Sequence, residues 1–377
     1  MNVAFDHTIF CMQRFGGISR YFCSLIKELE PQGISPRVFA PLHRNEYLAN
    51  SPDIPLIGTP VRGYPPRTAR FFLAASGWQA RRAIRRWQAD LVHHTYYDAA
   101  SSTTRRMPSV VTVYDMIHER FAAKLRAGRA DSSRKRAAVE SSDHVLAISH
   151  STSRDLQEMW GIDPKKITVT HLAAHDKSIN NPGRHDVAAD LPTQLKQRPF
   201  LLFVGNREGY KNFSGLLKAI AINSRLCGEL GLVAFGGRPF GEPAIREISS
   251  LGLNPKNVVH LQGDDALLEA CYRQAAALVY PSLYEGFGLP PLEAMIRDCP
   301  VCVSDRSSIP EVVGDAGEYF DPEQPESISE AIERVLFDTA RREQLIAAGR
   351  ERFREFSWER CAAQTADVYR KVVAEAS

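Results

Sequence analysis

Two carboxylates, Glu285 and Glu293, stand eight positions apart in Tyr280-Pro-Ser-Leu-Tyr-Glu285-Gly-Phe-Gly-Leu-Pro-Pro-Leu-Glu293-Ala-Met295. Gly286 and Gly288 lie between them, with prolines at 290 and 291. Carboxylates accept hydrogen bonds from sugar hydroxyls. The apolar run Ala277 to Tyr280 comes just before, and an apolar helical pattern follows. A strand that ends in a glycine-containing turn and opens a helix gathers backbone N–H groups at one point, and such a point binds phosphate or sugar oxygens. The pattern predicts Glu285 in the turn and Glu293 on the first turns of the helix, both facing one sugar–phosphate ligand.

Other groups of residues could share that chemistry. In Val204-Gly-Asn-Arg207-Glu-Gly-Tyr-Lys211-Asn212, Arg207 and Lys211 follow a predicted strand and could neutralise a pyrophosphate. A solvated loop with Arg207 paired to Glu208 is the competing reading. Gly16 and Gly17 stand at a strand-to-helix turn where paired glycines allow close backbone approach to a ligand, although plain tight turns use such pairs too. Asp115 ends the run Val110 to Tyr114, with His118 and Glu119 after it; polar residues at a strand's carboxyl end are site candidates in α/β proteins. A lone histidine is more often structural, so His118 draws its weight from placement. His93-His-Thr-Tyr96-Tyr97-Asp98 is rich in hydrogen-bonding groups, and Tyr96, Tyr97 and Asp98 are acceptor-contact candidates, set against core and surface roles.

The chain has no D-x-D motif, no G-x-S-x-G, no P-loop and no coherent His/Cys/Asp cluster at ligand spacing, so no metal is demanded. Cys299-Pro-Val-Cys302 matches C-x-x-C but lacks a second pair and a nearby histidine, and runs into a strand; buried thiols are the expectation. Seven cysteines, most in apolar patterns, suit reduced cytosolic thiols better than a disulfide framework.

The elements that must position these residues are legible as runs. Short apolar runs at 110–114, 144–148, 200–204, 230–235, 257–261, 277–280 and 301–303 are continuous rather than alternating, as in parallel strands covered on both faces. Helical patterns lie between them at Tyr21 to Leu29, at Phe213 to Ala221 and after Asp264-Asp265, where Leu267, Leu268, Cys271 and Tyr272 recur at helical spacing. The alternation means α/β, with two Rossmann-like domains facing across a cleft. A polar stretch from Asp176 to Arg198 breaks the rhythm. We therefore expect an amino-terminal acceptor-binding domain over 1–180, a linker over 181–199, a nucleotide-sugar-binding domain over 200–355, and a carboxy-terminal helix over 356–377 packing back on the first domain. With 377 residues, 44% apolar and a net charge of +3, the chain has room for two such domains. That charge is too mild to argue for nucleic acid. No run reaches the roughly 18 apolar residues of a membrane span, and the first residues read as a strand rather than a signal peptide.

Glu285-Gly-Phe-Gly-Leu-Pro-Pro-Leu-Glu293 resembles the E-x7-E signature of retaining glycosyltransferases of family 4, whose two-domain fold is called GT-B. Gly205 to Asn212 resembles the family's Gly-x-Arg-Glu-x-x-Lys-Asn block, Ser308 to Gly317 with Tyr319 to Pro322 the block after the E-x7-E helix, and Phe15 to Tyr21 its amino-terminal Gly-Gly loop. The resemblance is most specific over 200–322. It implies transfer of a sugar from a nucleotide-sugar to an acceptor hydroxyl with retention at the anomeric carbon, with no cofactor. Arg207 and Lys211 would clamp the donor diphosphate, and Gly16 and Gly17 would offer backbone amides to it. Glu293 would accept from ribose hydroxyls. Glu285 would hold a hydroxyl of the donor sugar, helped by Gly286 and the amides of Phe287, Gly288 and Leu289. Many members carry His-Asp where this chain has Tyr114-Asp115; His118, one helical turn later, is the candidate replacement.

The stretches Phe5 to Phe22 and Val113 to Glu119 resemble bacterial members that build O-antigen and related polysaccharides, often mannosyl- or rhamnosyltransferases using GDP-sugars. This implies GDP-mannose or a GDP-deoxyhexose as donor, and a glycan or polyprenyl-linked oligosaccharide as acceptor. The implied location is cytoplasmic, peripheral at the inner face of the membrane. Basic clusters at Arg81-Arg82, Arg85-Arg86-Trp87 and Lys124 through Arg136 would suit an anionic surface, or equally a solvated helix face. The alternatives are a sugar-nucleotide epimerase or hydrolase on the same fold, and a non-catalytic nucleotide-sugar-binding subunit.

Overall fold

The computed structural model describes residues 1–97, 107–121, 128–174, 198–207 and 209–376. Its strands form two wholly parallel sheets of seven and six strands. The chain divides into one compact unit of residues 1–172 with 357–377, and a second of residues 173–356. The α/β reading of the sequence, with two parallel doubly wound halves, holds. Most of the expected linker lies outside the described residues.

The first sheet contains β1 (Asn2–Phe5), β2 (Ser35–His43), β3 (Leu56–Pro60), β4 (Leu91–His94), β5 (Ser109–Val113), β6 (His144–Ala147) and β7 (Ile167–Val169), in the order β3-β2-β1-β4-β5-β6-β7. The strands β4, β5 and β6 are buried at every residue, so β5 and β6 are mostly apolar, and the two histidines of β4 are hydrogen-bonded inside. At the edge, the β2–β3 register shifts between Phe39 and Leu42, around Pro41, which has no N–H to give the ladder. A Cβ on Gly58 would fall 1.9 Å from the Ala40 carbonyl oxygen, so only glycine lets β3 approach that irregularity.

The second sheet contains β8 (Phe200–Val204), β9 (Gly231–Phe235), β10 (Val258–Leu261), β11 (Ala277–Tyr280), β12 (Val301–Ser304) and β13 (Gly317–Phe320), in the order β10-β9-β8-β11-β12-β13. Leu201, Phe203, Leu216, Leu217, Val279 and Ile332 belong to its core. Burying each of these side chains contributes about 1.5–3 kcal/mol. Cys299 and Cys302 are free, buried thiols, and burial pushes Cys299 up to about 12 and Cys302 higher still.

Local chemistry sets the helix ends. Asp264 caps the helix Asp265–Gln274 by accepting from the Leu267 N–H at 3.1 Å. The first long helix begins at Gly17, at the glycine turn, where the Gln13 side chain accepts from the Ser19 N–H at 3.2 Å and supplies a cap that the helix's own first residues lack. The chain breaks just ahead of the carboxy-terminal helix. A 3-10 turn at Phe353–Glu355 ends before Ser357, whose hydroxyl accepts from the Arg360 N–H at 3.2 Å and starts a new helix, Trp358–Ala376. That helix packs on the helix Gly17–Lys27 and on β6, within the first unit.

Candidate functional site

In each sheet the strand order reverses direction at one point. The crevice outside the carboxyl ends of the two strands flanking that point is where open α/β sheets bind ligands. In the second sheet the reversal falls between β8 and β11. Lys211 follows β8, and Tyr280 and Glu285 follow from β11, so three polar side chains from distant sequence meet there. The Lys211 Nζ donates to Glu285 Oε1 at 2.7 Å and to the Tyr280 hydroxyl at 3.2 Å, and lies 5.2 Å from the centre of the Tyr280 ring. The side chains of Lys211 and Glu285 are 15% and 9% exposed, so little water screens the pair. Burial, then the neighbouring Glu285 carboxylate, holds the Tyr280 phenol well above its ordinary pKa, so it stays protonated.

The loop carrying Glu285 is clipped from behind. Ser307 Oγ donates to the Glu285 carbonyl at 2.6 Å, while Ser308 Oγ lies 2.9 Å from that carbonyl and 2.8 Å from the Phe287 carbonyl. Phe287 is buried edge-to-face against Phe356, and Gly288 takes φ +114 as it opens the helix Leu289–Met295. Pro290 and Pro291 bring no N–H, so any backbone donors at this helix start come from Leu289 and the loop before it. Glu293, on that helix, accepts from the Tyr272 hydroxyl at 3.0 Å. Tyr272 looked like a core position in the sequence; its ring is core, but its hydroxyl is spent on the second carboxylate of the pair.

Arg207 is held on the β9 side of the same end of the sheet. Its guanidinium donates to the Gly236 carbonyl at 2.8 Å and to the Arg238 carbonyl, and stacks over the Phe240 ring at 4.6 Å. The expected partner Glu208 lies outside the described residues. Asn212, at φ +55, donates to the Pro322 carbonyl at 2.7 Å and anchors the turn that presents Lys211.

The first sheet reverses between β1 and β4. Asp6, directly after β1, is the residue the sequence reading missed there, although the rule that selected Asp115 applies to it equally. It binds His94 Nδ1 at 2.9 Å, the Thr95 hydroxyl at 2.6 Å and the Thr8 N–H at 3.0 Å. Burial alone would raise its carboxyl, but the hydrogen bond and charge of His94, then His7 and Thr95, hold it well below the usual carboxylate range. His93 faces the core instead, between Tyr369 at 2.5 Å and Thr112 at 2.8 Å.

Asp115, Glu119 and Tyr97 gather around a lysine that the sequence reading did not single out. Lys135, 2% exposed, donates to Glu119 Oε2 at 2.9 Å and to the Asp115 carbonyl at 2.9 Å, and sits 5.6 Å from the Tyr97 ring centre. The Tyr96 and Tyr97 rings lie 4.5 Å apart. His118 Nδ1 and Glu119 Oε1 are buried with no hydrogen-bond partner among the described residues. Tyr114, standing where many family members have histidine, is buried edge-to-face against Tyr21. Asp98 lies outside the described residues, as do 122–127 of the basic run that ends at Arg136. Gly16 has φ 174, extended backbone that any residue adopts, and a Cβ on Gly17 would meet nothing within 4 Å. Neither glycine is there for a left-handed turn.

Residues 15–174 match the family described as Glycosyltransferase Family 4, and residues 191–352 match Glycosyl transferases group 1. The chain is 32% identical over 236 residues to O-antigen chain mannosyltransferase B of Escherichia coli, covering 62% of this chain and 61% of that one. It is 30% identical over 314 residues to alpha-maltose-1-phosphate synthase of Mycolicibacterium smegmatis, covering 76% and 80%. Among solved structures, Anabaena Alr3699/HepE in complex with UDP-glucose shares the fold with a TM-score of 0.74 at 17% identity, over 98% of this chain and 100% of that one. With both halves matched and Glu285 paired to Lys211 beside the switch point of the second sheet, the chain belongs to glycosyltransferase family 4.

Proposed function

We propose that the chain moves a mannosyl or deoxyhexosyl unit from a nucleotide-sugar, GDP-linked, to a hydroxyl of a glycan or polyprenyl-linked oligosaccharide, with retention at the anomeric carbon. The observation that carries this reading is the Lys211–Glu285 pair at the switch point of the second sheet. An ammonium has three N–H groups. Glu285 and Tyr280 take two of those on Lys211, which leaves one for a phosphate oxygen of the donor. Arg207 supplies a second cation nearby in sequence, and the two offset the charge that grows on the departing diphosphate. Glu285 accepts from a hydroxyl of the donor sugar, with Gly286 and the amides of Phe287, Gly288 and Leu289 around it. Glu293 accepts from the ribose hydroxyls.

In the reaction the bond from the anomeric carbon to the phosphate oxygen breaks. A bond to the acceptor oxygen forms on the same face, and the acceptor's proton passes to the departing phosphate. No protein nucleophile is required. In the first unit we assign backbone amides of Gly16 and Gly17 to phosphate, Asp115 and His118 to the catalytic group beside the donor sugar, and Tyr96 and Tyr97 to the acceptor. The mannosyl preference is supported by the Escherichia coli relative's name. The UDP-glucose held by the Anabaena protein makes the base worth testing directly. For location, we propose peripheral contact with an anionic membrane through the helix Ala69–Trp87. It carries five arginines and no acid, and exposes Phe71 (71%) and Trp78 (61%). No helix among the described residues is long and apolar enough to cross a membrane.

Lys211→Ala and Glu285→Gln are expected to lower turnover at least a hundredfold, or about 2.7 kcal/mol of transition-state stabilisation, while the melting transition stays cooperative. Near-wild-type turnover in both folded variants would remove the site assignment. A thermal-shift comparison of GDP-, UDP-, ADP- and dTDP-sugars identifies the donor: a ligand at a hundred times its Kd stabilises by about 2.7 kcal/mol. Product formed without acceptor would mean an epimerase or hydrolase, and binding without turnover a non-catalytic subunit.

A further inference from the structure

At the switch point of the first sheet a cavity of about 390 Å³ is lined by His7 and Thr8 after β1, by Tyr97 after β4, and by Arg70, Arg81 and Arg134. Its charge is lopsided. Among the described residues no carboxylate pairs with Arg70 or Arg81, and Arg134 has only Asp131 at 3.8 Å. Asp6 lies behind the wall, but its oxygens are committed to His94, Thr95 and the Thr8 N–H. Thr8 is 5% exposed, and its Oγ1 has no hydrogen-bond partner among the described residues. A buried hydroxyl is rarely left unmatched without a ligand or water to meet it.

The wall itself is built to stay in place. A Cβ on Gly77 would come within 3.0 Å of the His7 ring, so glycine lets the helix Ala69–Trp87 close onto the end of β1. His7 Nε2 then lies 3.2 Å from the Leu73 carbonyl. Three guanidinium groups and a spare hydroxyl around a space of this size suit a group with several anionic oxygens and a need for forked donors, which is a phosphate or diphosphate.

We propose that this cavity binds a phosphate or diphosphate group carried by the acceptor, so that the enzyme selects phosphorylated acceptors over neutral glycans. The proposal rests on the transferase reading for its use, but the site itself can be tested apart from it. Calorimetry with inorganic pyrophosphate is done on the full chain carrying Lys211→Ala, which weakens the phosphate grip of the second unit. Adding Arg70→Gln with Arg81→Gln is expected to weaken binding at least tenfold, and Thr8→Val alone severalfold, with unchanged melting temperatures. Farnesyl diphosphate is the second probe. Tighter binding than pyrophosphate assigns a prenyl-linked acceptor, and equal binding a water-soluble one; both keep the phosphate site. Pyrophosphate and farnesyl diphosphate binding that ignores all three substitutions overturns it. In parallel, kcat/KM is compared for acceptors with and without a phosphate. Equal values in the unsubstituted chain overturn the selectivity. No transfer to either acceptor, with pyrophosphate binding still dependent on Arg70 and Arg81, would sink the transferase reading and leave the site standing.

Discussion

His93 shows how a residue that looks like site chemistry can be part of the core. It is fully buried and bridges β5 through Thr112 to the carboxy-terminal helix through Tyr369. Burial, then the neighbouring His94, lowers it to about 3, with Asp6 opposing, so it folds as the neutral ring. Between pH 3 and about 6.5 the unfolded chain binds a proton here that the folded chain does not, so stability rises with pH across that window and is lost as pH falls. The slope from one such site is at most about 1.4 kcal/mol per pH unit. Asp6 has the depressed carboxylate shift. Its contribution is complete above about pH 4 and is lost only as pH falls further, so the two windows scarcely overlap. Urea unfolding of His93→Gln at pH 4.5 and 6.5 is expected to show a shallower pH dependence than the parent chain. An unchanged slope would mean His93 is protonated in the fold. At this scale the sequence was legible where spacing carried the chemistry, as with Lys211 and the Glu285/Glu293 pair. It was opaque where the partner is remote, as with Tyr272 for Glu293 and Lys135 for Asp115, because nothing local marks a buried tyrosine or lysine as a partner.

Elements were easier to read than their partners, and the reason is burial on both faces. The runs that became β5, β6, β8, β9, β11 and β12 are continuous because parallel strands have no wet side to alternate toward. The edge strand β3, mostly exposed and carrying Gly58, left no such run and went unread. The helix Ala69–Trp87 is the element whose two faces do different work. Gly77, Ala80 and Ile84 turn inward, while Phe71, Ala74, Trp78, Arg82 and Arg85 recur at three- and four-residue spacing on the exposed side. Arg82 lies 6.0 Å from the Trp78 ring centre, a pairing of cation and amphipathic ring suited to a headgroup layer. Each arginine near an anionic surface contributes about 1 kcal/mol. Arg82→Gln with Arg85→Gln, which spares the cavity residues Arg70 and Arg81, should therefore weaken binding to phosphatidylglycerol vesicles by roughly tenfold or more. Binding should fade with added salt and be absent on phosphatidylcholine. Sedimentation showing no vesicle binding at low salt would leave the helix as an ordinary solvated face.

For the whole molecule, residues 357–377 belong to the first unit although they follow the second in sequence. The physical reason lies in the face of the helix Trp358–Ala376. Cys361, Ala362, Thr365, Ala366, Tyr369 and Val372 are all buried, and Tyr369 reaches His93. Trp358 lies 6.0 Å from Tyr21, in the same aromatic group as Phe22 and Tyr114. A chain ended at Phe356 would lack that face, expose the surface it covers, and leave the His93 Nδ1 without its partner. Losing Tyr369 and Val372 from the core alone corresponds to about 3–6 kcal/mol of burial, a large fraction of the 5–15 kcal/mol that stabilises a domain. The loss should be confined to one half. In hydrogen exchange, amides of β4, β5, β6 and the helix Gly17–Lys27 should lose protection by orders of magnitude, while those of β8, β9, β11 and β12 keep theirs. The Lys211–Glu285 cradle lies wholly in the second unit, so donor-induced protection around Lys211 should survive to the extent that the second unit alone binds donor. Protection lost equally in both halves would mean that the units do not fold as separate bodies. Protection retained in both would mean that the helix is dispensable packing.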